Sequence, residues 1–264
     1  MPSPESPRPL TDPGAPAPWR VEILDDSPST NAYVAERARA GEPPGLVAVT
    51  EHQTTGRGRL DRTWETPRGV ALTFSLLVVP GAVPLARWPW LPLLTGLAVV
   101  DAVTEATGVA VTLKWPNDVM AEGGKLAGIL VELVEHPAGP AAVVGVGVNV
   151  SATRGELPVE TATSLSLEGA ADVDRTSLLR GVLTAFSTRY DGWVRAGGEG
   201  LRASYREVCS TLGHDVRADL PGGDTVNGKA VDVDDEGRLH VDDGSRVHVL
   251  GAGDVVHVRP AEPR

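Results

Sequence analysis

Two periods of apolar residues run along this chain, one of about 3.6 and one of about 2, and each change of period marks an element. Strand-sized apolar runs predict strands at Val21, Ile23 and Leu24, then over residues 46–50, 70–79, 125–134 and 142–150, and an apolar–polar alternation predicts one over 111–115. Helical spacing predicts four helices. The first covers 31–40, where Ser29, Thr30 and Asn31 are all good capping residues and Gly41 ends the run. The second covers 92–107, with Leu93, Leu94, Leu97, Val100 and Val103 as its apolar face and Gly108 as its stop. The third, 176–195, carries Leu178, Leu179, Val182, Leu183, Phe186, Tyr190 and Trp193 on one stripe, and the fourth spans 199–210. Glu122-Gly123-Gly124 reads as a turn between two strands.

After Leu212 the pattern changes. Residues 213–258 are brief alternations cut by Pro221-Gly222-Gly223, Asn227-Gly228, Glu236-Gly237 and Asp243-Gly244, the spacing of a small antiparallel barrel or meander. A domain boundary is therefore expected near 210, giving a domain over 19–210 and a second over 211–264. Before Trp19, seven prolines fall within residues 1–18. Proline removes backbone donors and breaks helices, so this stretch is expected to be an extended or disordered tail.

Composition narrows the function. The 264 residues are 41% apolar and 22% charged, an ordinary globular balance. A net charge of −11 repels a nucleic-acid backbone, so nucleic acid is not expected as a partner without a local basic patch. Apolar runs are strand-sized, which argues against a membrane span, and the N-terminus lacks the pattern of a secretion signal. A single cysteine, Cys209, can form neither an internal disulfide nor a multi-cysteine metal site. The expectation is a cytoplasmic protein.

Three segments carry candidate chemistry. Residues 51–64 join two strands and alternate Gly56, Arg57, Gly58 and Arg59 before Arg62 and Trp64. Glycine lets backbone approach a ligand closely, and arginine offers a forked donor set matched to carboxylate and phosphate. The loop suits an anion; the plain alternative is a solvated basic loop. It lacks the spacing of a phosphate-binding P-loop. Second, a strand ends at Lys114-Trp115-Pro116-Asn117-Asp118. That places a lysine, an amide and a carboxylate together, although Asn-Asp after proline is also an ordinary turn. Lys125 follows at the mouth of an apolar strand, either as an edge charge or as a cation aimed at developing negative charge. Third, Gly145 and Gly147 interrupt a valine-rich strand ending at Asn149, which marks close approach by a ligand or another part of the chain.

Taken in order, Ser29-Thr30-Asn31, the stretch from Gln53 to Arg59, Lys114 to Asp118, Gly124-Lys125-Leu126-Ala127-Gly128-Ile129 and Gly145 to Asn149 form a set that resembles the biotin–protein ligases, over about residues 20–260. The resemblance implies an α/β (α+β) fold, a central mixed β-sheet flanked by helices, with a small C-terminal SH3-like β-barrel. It implies an enzyme that uses ATP to make biotinyl-5′-AMP and passes the biotinyl group to a lysine of a carrier domain, the biotin carboxyl carrier protein of a biotin-dependent carboxylase.

By the same resemblance, Ser29, Thr30, Asn31 and Gln53 hold the ureido ring of biotin. Gly56, Arg57, Gly58 and Arg59 close over carboxylate and phosphate, and Lys125 contacts both. Arg62, Trp64, Lys114, Asn117, Asp118 and Asn149 serve the nucleotide, with Asp118 organising Mg²⁺ or the carrier lysine. The catalytic set is then Lys125, Arg57, Arg59 and Asp118. Mg²⁺ enters with ATP, and no protein metal site is assigned. Some members of the family carry a DNA-binding helix-turn-helix. Here only about 20 residues, mostly proline-rich, precede the catalytic segment, so a DNA-binding repressor is not expected. A lipoate ligase-like acyl transferase is the alternative. An octanoyl transferase would need a cysteine nucleophile, and Cys209, on an amphipathic helix with Leu201, Tyr205 and Val208, reads as a core thiol. A generic nucleotide-binding module is a further rival. The sequence leaves the oligomeric state, a homodimer included, open.

Overall fold

The structure, a computed structural model, describes residues 8–59, 63–81, 83–220, 222–251 and 253–257. Its first part runs β1 (Arg20–Ser27), α1 (Thr30–Arg39), β2 (Leu46–Gln53), β3 (Gly56–Arg57), β4 (Thr63–Trp64), β5 (Ala71–Val78) and α2 (Trp90–Thr107). Then follow β6 (Val111–Lys114), β7 (Asp118–Ala121), β8 (Gly124–Val134), β9 (Ala141–Asn149), α3 (Arg175–Ala196) and α4 (Glu199–Val208). Strands β10 (Asp215–Asp219), β11 (Thr225–Val233), β12 (Leu239–Asp242), β13 (Val247–Leu250) and β14 (Asp254–His257) complete it.

Seven strands form one sheet in the order β1-β2-β5-β9-β8-β7-β6. The β1–β2 pair is parallel and the rest are antiparallel, so the sheet is mixed. β5 lies in its interior and is buried at all eight positions. Helix α2 lies between one sheet face and α3 and is buried almost all round, which explains its weak amphipathicity. Helix α1 covers part of the opposite face, packing Val34, Ala35 and Ala38 on Leu46, Ala48, Ala141 and Val143. Its N-cap is Ser29, whose hydroxyl accepts from Ala32 N at 3.3 Å. Gly108 ends α2 at φ +70°, a left-handed cap that a β-carbon would strain.

β10 to β14 form a five-stranded antiparallel sheet in the order β13-β12-β11-β10-β14. It does not stand apart. Its Val216, Ala218, Ala230 and Val241 belong to the same apolar cluster as α2, α3 and the main sheet. Trp90 Nε1 donates to Asp235 O at 2.9 Å, and Arg202 and Arg206 of α4 both pair with Asp232.

Two expectations change. Asn117-Asp118 does not simply turn the chain. The turn is Trp115-Pro116-Asn117, and Asp118 opens β7, an unpredicted strand that pairs with both β6 and β8. Four residues are too few to show a period against the glycines that follow. Of the proline-rich stretch 1–18, residues 1–7 lie outside the described residues. From residue 8 the chain forms no helix or strand but is packed rather than loose. Leu10 is buried in the core, its N–H donates to Glu51, and buried Arg175 donates to both Arg8 O and Glu51 Oε2 at 2.7 Å. One leucine among prolines gave no periodic signal.

Candidate functional site

The valine–glycine alternation of β9 has a physical reason. Val144, Val146 and Val148 face the core under α2. Residues of the other parity face the α1 side, where Ala141 and Val143 pack under the helix and Gly145 and Gly147 lie beyond its N-terminus. Thr73 and Ser75 of β5 pair with Gly147 and Gly145, and Gly128 of β8 pairs with Gly147. Small residues on three adjacent strands thus leave a floor above which a cavity of about 1180 Å³ opens.

One end of the cavity is a dense polar group at the start of α1. Gln53 Oε1 accepts from Thr30 N at 2.9 Å and lies 3.2 Å from the Thr30 hydroxyl. The Ser75 hydroxyl donates to Asn31 Oδ1 at 2.6 Å and also lies 2.7 Å from Thr30 Oγ1. Asn31 Nδ2 donates to Glu132 Oε2 at 2.6 Å, which fixes the orientation of the amide. A β-carbon on Gly145 would collide with the Asn31 carboxamide. The glycine is therefore required by a side chain of the protein itself.

The arginine loop forms the roof. Gly56 and Arg57 pair with Trp64 and Thr63 as a two-stranded ribbon. A β-carbon on Gly56 would strike Trp64 O and the Gln53 amide. The Trp64 indole lies directly over Gly147 and within reach of Gly128, and its Nε1 is buried without a partner among the described residues. Arg57 is exposed. Arg59 donates from Nη1 to Asn117 Oδ1 at 2.9 Å and from Nη2 to Gly253 O at 3.1 Å, so it ties the loop both to the β6–β7 turn and to the C-terminal sheet.

Lys125 and Asp118 meet at the centre, Nζ to Oδ1 2.7 Å, both partly buried. Lys125 Nζ also stands 5.9 Å from the centre of the Trp64 ring. The lysine is thus an inward cation rather than a solvated edge charge. Beside it the segment 158–162 forms a second wall. Lys125 N donates to Thr161 O at 2.7 Å, and Asn149 Nδ2 donates to Thr163 O at 2.9 Å. Asn149 Oδ1 is buried with no partner among the described residues, an acceptor waiting for a donor. Beyond β6, Lys114 shares the last part of the cavity with His214 and His257 of the C-terminal domain.

The cavity gathers every expected site residue that lies among those described, except Gly56, which sits beneath the roof. Arg62 lies outside the described residues. Ser75, Glu132, His214 and His257 join the site without having been expected. Ser75, which with Thr73 interrupts a mostly apolar strand, was the one available signal; the others follow from strand pairing and domain packing. The Cys209 thiol is buried outside the cavity, and burial pushes its pKa up. Among the described residues no three His, Cys, Asp or Glu side chains gather to hold a metal, and no helix is long and apolar enough to cross a membrane.

Comparison with known proteins gives a consistent picture. Residues 23–149 match the model of the biotin/lipoate A/B protein ligase family, and residues 211–258 match the biotin protein ligase C-terminal domain. A biotin–[acetyl-CoA-carboxylase] ligase of Mycobacterium tuberculosis is 43% identical over 251 residues, covering 93% of this chain and 92% of that protein. A bifunctional ligase/repressor of Bacillus subtilis is 32% identical over 231 residues, 86% of this chain and 70% of its own length. A solved structure of a biotin protein ligase from Aquifex aeolicus, in complex with biotin and ATP, superposes with a TM-score of 0.78 at 28% identity, covering 91% of this chain and 99% of that one.

Proposed function

Since the chain belongs to the biotin protein ligase family, we propose that its cavity activates biotin with ATP and delivers the biotinyl group to a lysine of a carrier protein. One observation carries this reading: a single cavity holds a buried, amide- and hydroxyl-rich end and a lysine–carboxylate centre. Thr30, Asn31 and Gln53 match a ureido group, which offers two N–H donors and one carbonyl acceptor. Leaving such groups unpaired in a buried pocket is costly, so the polar end selects for them. A lipoate-type ligand has no ureido to satisfy it.

In the first step a biotin carboxylate oxygen bonds to the α-phosphorus of ATP. The bond from that phosphorus to the β-phosphate's bridging oxygen breaks, and pyrophosphate leaves with the electron pair. Lys125 stands where two anions must approach and offsets their repulsion. Asn149 Oδ1, buried and unpartnered, suits the amino group of adenine, and Trp64 walls the site above the glycine floor. Magnesium, when bound, neutralises phosphate charge. Asp118, the carboxylate paired with Lys125 at the cavity's centre, would be the residue to hold it beside the nucleotide. In the second step the carrier's neutral lysine amine attacks the mixed-anhydride carbonyl, the bond from that carbon to the phosphate oxygen breaks, AMP departs with the electron pair, and the nitrogen's proton passes to solvent. Neither step uses a protein nucleophile, so catalysis rests on positioning and electrostatics. Residues 19–210 then act as the biotin- and ATP-binding domain and 211–264 as an SH3-like wall. The acceptor is the carrier domain of a biotin-dependent carboxylase, and the need for ATP and that partner puts the activity in the cytoplasm.

The test is ATP–pyrophosphate exchange. Exchange that appears on adding biotin, and not on adding lipoate, supports the reading. Exchange independent of biotin, or none at all, refutes it.

A further inference from the structure

The sheet gives the cavity a direction. Its ureido-matching end lies by β2, β5 and the start of α1, the Lys125–Asp118 centre lies on β8 and β7, and the last strand is β6. In an in-line displacement at phosphorus the leaving oxygen departs opposite the attacking one. With biotin's carboxylate entering from the β5 side, the leaving group is driven across β7 toward β6.

At the β6 end the catalytic domain supplies Lys114, and the C-terminal domain supplies two imidazoles. The rings of His214 and His257 stack in parallel, 5.5 Å between centroids and 9° between planes. Both line the cavity with Lys114. Their backbones are held: Ala230 N donates to His214 O at 3.0 Å, and His257 pairs with Val216 across β10–β14. The buried Thr211 hydroxyl receives Trp115 N at 3.0 Å and lies 3.4 Å from His257 Nε2, so this corner is tied to the β6–β7 turn. Stacked imidazoles with a lysine beside them repel one another once charged, and a polyanion relieves that repulsion.

We propose that His214 and His257, with Lys114, form the cradle of the pyrophosphate leaving group, so that the C-terminal domain takes part in the first step of the reaction. The inference rests on the ligase reading above and adds to it a binding site for pyrophosphate, the end of ATP farthest from the nucleoside. Burial, then Lys114 and His214, hold the His257 pKa below the usual imidazole range, so it is largely neutral in the empty site at neutral pH. Arrival of the anion draws a proton onto it. The other charged groups facing this end are Asp254, which lines the cavity, and Arg59, bound to Gly253 O.

The experiment is biotin-dependent ATP–pyrophosphate exchange with the full chain, measured against pyrophosphate concentration for wild type, His214→Asn, His257→Asn and His214→Lys. His214 is exposed, so its variants keep the fold. The asparagine variants are expected to need about tenfold more pyrophosphate for half-saturation, the loss of one charge-assisted contact. His214→Lys is expected to restore it. Wild type should bind pyrophosphate more tightly at pH 6.5 than at 7.5, with His257→Asn flattening that slope. Biotin affinity and transfer from synthetic biotinyl-AMP to carrier should not change. An unchanged pyrophosphate dependence in both asparagine variants overturns the proposal. A defect confined to transfer overturns it too, and assigns the pair to carrier docking. No biotin-dependent exchange in wild type would instead sink the parent reading.

Discussion

The carboxamide of Asn31 fills the space that a side chain at residue 145 would need, so the two positions, on α1 and β9, are sterically coupled. Asn31 is further fixed by Ser75 and Glu132 and has no free direction in which to retreat. Gly145→Ala should therefore displace the amide while leaving the rest of the sheet paired. Biotin affinity is expected to fall about tenfold or more, as a buried polar contact is lost. Calorimetric titration with biotin, beside a melting curve, checks this; unchanged affinity would mean that the amide does not contact the ligand.

Lys125→Ala removes the cation at the meeting point of two anions. Loss of one such group typically costs about 10²–10³ in rate. Biotinyl-AMP formation should drop by that factor in a protein that still melts cooperatively. Near-normal synthesis would return Lys125 to the role of a partner for Asp118.

Arg59 bolts the loop to Asn117 and Gly253. The mixed anhydride beneath must be kept from water and stray amines until the carrier arrives. Arg59→Gly is expected to make adenylate but release it early, by roughly tenfold to a hundredfold per lost charged contact of about 1.5–3 kcal/mol. Streptavidin blotting of a lysine-rich bystander protein reads the escape. An unlabelled bystander, with adenylate synthesis intact, would show that the arginine is no latch.

Cys209 is buried beside Tyr205, and its thiol is kept protonated by desolvation. A neutral thiol is a poor nucleophile. Iodoacetamide should leave the native protein unmodified at pH 8 and label it fully in denaturant. Rapid native labelling with loss of activity would reopen the acyl-thioester alternative.

How much of this was legible beforehand varies with range. The helices and long strands follow from periodicity and capping, because those signals are local. The motif residues could be picked out by type, but the reason for the β9 glycines could not. Asn31 and Gly145 are far apart in sequence, and no local pattern reports that one fills the other's space. Glu132 looked like one polar residue in an alternating strand, and only register brings it under Asn31. The histidines at the β6 end come from turns and a terminal strand whose spacing carries no chemical sign.

Acid should loosen the domain interface. Burial raises the Asp232 pKa, but hydrogen bonds from Arg206, Arg202 and Val233 N outweigh it and hold the carboxyl below its ordinary value of 3.8. A depressed carboxylate contributes stability that is complete above its unfolded pKa and is lost as pH falls through its folded one. Melting temperature should therefore decline below about pH 4, and Asp232→Asn should lower stability at neutral pH while shrinking that decline. An unaltered acid profile in the variant would place the dependence elsewhere.

The Trp115 indole, which donates to Gly237 O at 3.1 Å, lies in an apolar core continuous through both sheets. A hinge needs a seam that can part without exposing such a core, and this seam cannot. Traffic into and out of the site would then pass by the ribbon of Gly56–Arg57 and Thr63–Trp64 or by the 158–162 wall. Turnover would be gated by short stretches of backbone moving over a rigid frame, and cross-linking the two sheets together should leave the rate of product departure as it was.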